Sequence, residues 1–201
     1  MAHNINFNER TGKYSFFSVQ QKAWHNLGQI VSDYPTSHEA ILHAGLDYEV
    51  AKSPIYTKGT GIIETANGTE IGHNELEVPN YFANIRTDNN AVLGVVGKDY
   101  QIVQNREAFN FFDAIVGGGD GILYETAGAL GNGERIFITA KLPDYIRVGK
   151  GDDVTEKYIF LTTSHDGSGS ITAAFTPIRV VCQNTLNASL RTMTNVVRIK
   201  H

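Results

Sequence analysis

Cysteine is nearly absent from this chain. Cys182 is the only one among 201 residues, so no internal disulfide can form, which fits a reducing compartment. Long apolar runs are missing as well: no stretch approaches the ~20 residues needed to span a bilayer, and the polar opening MAHNINFNER lacks the apolar segment of a secretory signal. A cytoplasmic protein without membrane attachment is the expectation. Proline is scarce, five residues against twenty glycines, and the glycines cluster in Asn-Gly, Asp-Gly and Gly-x-Gly turns that favour hairpins over a helical bundle. Acid is missing from one end only. All 21 Asp and Glu lie at or before Asp166, together with 13 of the 17 Lys and Arg, which leaves that portion at −8. The last 35 residues hold Arg179, Arg191, Arg198 and Lys200 and no acid, a local +4.

A net charge of −4 excludes a surface that is cationic all round, since phosphate binding needs clustered Lys and Arg. The acid-free end is the exception, a strip suited to a polyanion. Catalytic and metal motifs are also lacking. His38 and His43 are the one close histidine pair, five apart and therefore off a common helix face, so no metal is expected. Gly117-Gly118-Gly119-Asp120-Gly121 and Gly167-Ser168-Gly169 have the composition of phosphate loops. The first follows a helical pattern and the second lies between strands, whereas a phosphate cradle follows a strand and opens a helix. No cofactor is expected, and no catalytic residue stands out. Cys182 falls on an apolar stripe and reads as a small buried hydrophobe. Trp24 beside His25 reads as a packed aromatic pair with its ring nitrogens satisfied.

What is present is a succession of short strand patterns with a few helices. Residues 1–30, with scattered aromatics, read as an arm packed across the body. Thr36-Ser37-His38-Glu39 has capping-box form and Gly45 stands in the stop position, which bounds a short helix. Residues 46–52 alternate as a strand that Pro54 confines to an edge or an ending, and Asn67-Gly68 marks a small hairpin over 62–71. Residues 81–103 predict a three-strand meander. Asn105 can cap a helix with Ala108, Phe109, Phe112, Ile115 and Val116 on one face. A long hairpin follows over 122–142 around Gly131-Asn132-Gly133, then a solvated loop at 150–153.

The most informative stretch is 157–191, KYIFLTTSHDGSGSITAAFTPIRVVCQNTLNASLR. It predicts a strand, a turn at Asp166-Gly167-Ser168-Gly169, a second strand, and a helix opened by Pro177, with Ile178, Cys182, Leu186 and Leu190 on its apolar face. The fold class is therefore α+β, a largely antiparallel sheet of hairpins and a meander backed by a few helices, in one domain over 1–201.

Three segments, MAHNINFNERTGKYSFFSVQQKAWHNLG, AVLGVVGKDYQIVQNREAFNFFD and TPIRVVCQNTLNASL, together resemble a phage- and plasmid-related bacterial family known only as a domain of unknown function. Members of that family usually continue past the point matching Val197-Arg198-Ile199-Lys200-His201, so a truncated or short member is expected. More remotely, the order of hairpins then helix resembles the core of single-strand DNA annealing proteins. That resemblance implies an oligomer, without enzymatic activity, that binds single-stranded DNA in recombination or replication. Arg179, Arg191, Arg198 and Lys200 would meet phosphates, with Tyr158 or Tyr100 stacking on bases. The alternatives are an accessory protein that binds a host protein or small molecule through its acidic first 166 residues, and an enzyme using Cys182 or His165.

Overall fold

The computed structural model describes residues 3–66, 68–116, 123–142 and 158–200. Its centre is a seven-stranded sheet ordered β12-β11-β10-β9-β8-β3-β4. The strands are β3 (Phe16–Val19), β4 (Gln29–Val31), β8 (Leu123–Leu130), β9 (Arg135–Lys141), β10 (Tyr158–Ser164), β11 (Ile171–Thr176) and β12 (Thr194–Ile199). All neighbours are antiparallel except β3 and β4. The expected hairpins around 131–133 and 166–169 account for β8–β9 and β10–β11. A second, three-stranded sheet holds β5 (Val50–Thr65), β6 (Gly68–Arg86) and β7 (Val92–Gly97), and a small ribbon pairs β1 (Phe7–Asn8) with β2 (Lys13–Tyr14). The fold is thus α+β.

Alternation along the central strands sends successive side chains to two cores. Ile136, Ile138, Ile159 and Leu161 face the helices α1 (Ser37–Ala44) and α2 (Asn105–Val116), meeting Ala40, Ile41, Ala44, Ala108, Phe109 and Phe112. The residues between them, Phe137 and Phe160, join Phe16, Cys182 and Leu186 on the side of α3 (Gln183–Thr192). Period-two strand geometry therefore builds both layers from one sheet. Among the described residues no helix is long and apolar enough to cross a membrane.

Helix α1 forms as its sequence predicts. Thr36 Oγ1 accepts from Glu39 N at 3.3 Å, the Glu39 carboxylate accepts from Thr36 N at 2.8 Å, and Gly45 closes the helix at φ 62°. Helix α2 starts differently. Asn105 is buried and turned inward, its amide donating to Leu46 O at 3.0 Å and its Oδ1 lying 2.8 Å from His165 Nε2. The capping contact comes from Glu107, which accepts from Gln104 N at 2.7 Å.

Four expectations are corrected. The N-terminal segment is not simply an arm across the body, because Phe16–Val19 is fully buried as β3 between β4 and β8. Residues 100–103 form no strand; instead the Gln104 side chain accepts from Val50 N and donates to Val50 O, standing in for a strand partner. The separate short strands expected at 46–52, 62–71 and 81–87 merge into one long hairpin, with Thr65 opposite Gly68 at its tip and Val50 opposite Arg86 at its base. Pro54 is accommodated because β5 is an edge strand, and the pairing shifts between Pro54 and Tyr56. Finally, α3 begins at Gln183 and not near Pro177, so Ile178 lies outside it and Cys182 is its N-cap residue. The pair Val180 and Val181 is buried ahead of the helix, where Thr126 Oγ1 donates to Val180 O at 2.5 Å and His25 Nε2 to Val181 O at 3.0 Å. The glycines at 117–119 and the loop at 150–153 lie outside the described residues.

One buried cation locks the two larger sheets together. Arg86 is fully buried; its Nε and Nη2 donate to Asp88 at 2.9 and 2.8 Å, and its Nη1 donates to Asn6 Oδ1 at 3.1 Å and Asn132 O at 3.0 Å. The guanidinium lies 3.7 Å from the centroid of the Tyr48 ring, whose hydroxyl donates to Gly133 O at 2.7 Å. Burial pushes the Tyr48 phenol up to about 12, so it stays a donor. Gly133 has φ +106°, and a Cβ there would stand 2.7 Å from Arg86 Nη1, which explains the glycine.

Candidate nucleic-acid interface

The acid-free end of the chain folds as α3 followed directly by β12 along one edge of the central sheet. Arg191 occupies the last turn of α3, where a cation complements the helix dipole. Arg198 lies opposite Thr172 on β11, two residues from Ala174, which belongs to the core on the α3 side. By strand alternation Val196 and Lys200 share that face. Arg191, Arg198 and Lys200 are all exposed, and none has an ion-pair partner among the described residues. Every residue of β12 is exposed, including Val196 and Val197.

Arg179 does not belong to this strip. Its Nε lies 2.6 Å from Glu125 Oε1, and its Nη2 donates to Val19 O at 3.1 Å and to Gln21 O at 3.4 Å. Because α3 begins four residues later, the helix dipole places no demand on it. Glu125, on β8, also accepts a hydrogen bond from Tyr34, whose phenol is raised by burial and then by that carboxylate. The sequence contained no signal for this pairing, since Arg179 and Glu125 meet only through the order of strands in the sheet.

The two tyrosines differ in setting. Tyr158 begins β10, half-buried, its phenol raised by burial and by Glu125. Tyr100 is anchored by its hydroxyl, which donates to Ser164 O at 2.8 Å, and its phenol is pushed up to about 12 by burial and then by Asp166. The strand register separates the six residues named from sequence. Tyr158 pairs with Thr176 and Phe175 with Thr194, so Tyr158, Arg179 and Arg191 mark one end of the edge strands. Ile171 pairs with Ile199, so Arg198, Lys200 and Tyr100 mark the other.

Reactive candidates are buried and kept apart. Cys182 sits in the α3-side core, and His165 is fully buried against Asn105 of α2, across the sheet. His25 uses both ring nitrogens, Nε2 donating to Val181 O and Nδ1 accepting from Leu27 N at 3.0 Å, and burial lowers its pKa. Its neighbour Trp24 is 62% exposed and meets the His3 ring edge-on, so it is less packed than its sequence suggests. Among the described residues no group of three His, Cys, Asp or Glu could hold a metal ion.

The feature least visible in the sequence is the distal half of the β5–β6 hairpin. None of the residues 56–80 whose side chains are described is buried, and Ile62 and Ile71 are 78% and 79% exposed. The ribbon therefore projects from the body.

Residues 92–201 match the family described as Domain of unknown function (DUF932). No curated protein and no solved structure matches the chain. The matched region runs from β7 through α2 and the hairpins of the central sheet to the α3–β12 edge, more than half of the sequence, and the chain belongs to the DUF932 family.

Proposed function

We propose that this protein binds and anneals single-stranded DNA without catalysing a reaction, as an oligomer in the cytoplasm of a bacterial host, in recombination or replication of a phage or plasmid. The observation that carries the reading is the exposed cationic edge of α3 and β12: Arg191, Arg198 and Lys200, with no acid in the last 35 residues. Three separated cations on one edge suit a backbone of regularly spaced phosphates, which is read by charge and not by base identity. The order of long hairpin, third strand and helix in β5–β6–β7–α2 adds support by analogy with annealing proteins. Arg179 is left out of the phosphate-binding set because Glu125 already neutralises it.

The test is the binding of a labelled oligothymidylate across a salt series. Arg191→Gln, Arg198→Gln and Lys200→Gln should each weaken binding and reduce the log-log salt slope by about 0.7, the value for one lost contact on a single strand. Arg179→Gln should lower stability by about 2 kcal/mol and leave the slope unchanged. Unchanged slopes in the first three variants would remove the DNA reading. The accessory-protein alternative draws on the acidic part of the chain and predicts no oligonucleotide binding at any salt concentration.

A further inference from the structure

The projecting ribbon has two unlike faces. Along residues 56–77 strand alternation puts Tyr56, Lys58, Thr60, Ile62 and Glu64 of β5 on one face, with their partners Glu77, Glu75, His73, Ile71 and Thr69 of β6. The other face carries Thr57, Gly59, Gly61, Gly72, Asn74 and Leu76 among its residues. On the first face Lys58 stands opposite Glu75, while Glu64 faces Thr69 and Glu77 faces Tyr56, so those two acids have no opposite charge across from them. Residues 55–80 hold four glutamates and one lysine, a net charge of −3. The Ile62–Ile71 pair lies between Thr60 and His73 on one side and Glu64 and Thr69 on the other, and an exposed apolar pair on an acidic ribbon is a poor surface for DNA. Leaving it in water is unfavourable, so a covering surface is favoured.

The complementary surface lies on the same molecule, at the opposite edge of the central sheet from β4. Among the described residues β12 is the last strand of its sheet, with Val196, Arg198 and Lys200 on one face and Arg191 just before it. The apolar pair and carboxylate at the end of the ribbon thus match Val196 and the cations that follow it on β12. Both elements are extended, and edge strands pair readily with another chain. At roughly 3.4 Å per residue, six residues of β12 cover about 20 Å, most of the length of the ribbon face.

We infer that the β5–β6 ribbon of one copy lies along the α3–β12 edge of a second copy, Glu64 meeting Arg198 and Lys200, and Ile62 and Ile71 covering Val196: Glu64 is two residues from Ile62, as Arg198 is from Val196. The contact is heterologous, because each copy offers a ribbon and an edge that are different surfaces, so it propagates head to tail into rings or chains. A narrow contact with exposed charges belongs to the weak, salt-sensitive class. The inference specifies the oligomer of the proposed function, yet it concerns the protein without DNA.

Sedimentation velocity of the chain alone, without oligonucleotide, tests it. Wild-type protein should associate with rising concentration in low salt and dissociate in high salt. Glu64→Lys on the ribbon should be monomeric, as should Arg198→Glu/Lys200→Glu on the edge. The chain carrying all three reversals should associate again, because the meeting charges have all changed sign. Ile62→Ser/Ile71→Ser should also be monomeric with an unchanged circular dichroism spectrum, and should still bind oligothymidylate, which separates failure here from failure of the DNA reading. A wild-type monomer at all concentrations in low salt would overturn the inference. So would association that survives the ribbon reversal, or a threefold variant that stays monomeric.

Discussion

At the scale of single residues, charge in this protein is used in two opposite ways. Arg86 and Arg179 are spent on architecture, each joined to a carboxylate and to backbone oxygens, whereas Arg191, Arg198 and Lys200 stand in solvent. Burial decides the difference. A guanidinium out of water must satisfy its donors, and Arg86 does so with Asp88, Asn6 and Asn132. Arg86→Met should therefore cost about 3 kcal/mol in urea unfolding, because it strands Asp88 and takes from Asn132 O its side-chain donor, Asn6 Oδ1 keeping that of Ser15 Oγ. A loss under ~1 kcal/mol would show that these acceptors find other donors. Neither role could be assigned from sequence, where Arg179 and Arg198 sit in the same acid-free stretch.

At the scale of elements, the ribbon and α3 show how local signals mislead when partners are distant. Asn67-Gly68 correctly announces a hairpin, but a turn signal carries no information about how far the strands continue, and these pair all the way to Val50 and Arg86. The four-residue spacing of Ile178, Cys182, Leu186 and Leu190 reads as one helix face, yet Val180 and Val181 are held ahead of the helix by Thr126 and His25 and the helix waits until Gln183. Since no described side chain of the distal ribbon is buried, replacing residues 57–76 by Asn-Gly should leave the body folded, with stability within about 0.5 kcal/mol. Tyr56 and Glu77 already face each other there, so a two-residue turn closes the gap. Thermal unfolding would check this, and loss of the cooperative transition would mean that the ribbon contributes to the core.

At the scale of the whole molecule, the proposed DNA path and the proposed seat of a neighbour's ribbon share Arg198 and Lys200. Two polyanionic occupants of one strip must compete. Oligothymidylate should consequently shift the assembly toward smaller species in sedimentation, and ribbonless protein should bind it more tightly than wild type at the same low salt, because nothing needs to be displaced. Equal affinities would separate the two surfaces. The acidic ribbon then acts as a cover for the cationic edge until a nucleic acid takes its place.

Sequence alone determined the local features of this protein. The α1 capping box, the hairpins around 131–133 and 166–169, the α+β class and the acid-free end all rest on residues within a few positions of one another or on simple composition. Tertiary structure decided everything that depends on which strands are neighbours. It buried Phe16–Val19 as an inner strand, gave Arg179 a carboxylate from β8, turned Asn105 from a cap into a partner of His165, and split the six predicted contact residues between two ends of one edge. The physical reason is that hydrogen-bonding and apolar pattern act over one turn or one strand, whereas the pairing of strands far apart in sequence is set by the packing of two cores on one sheet, whose partners no short stretch names.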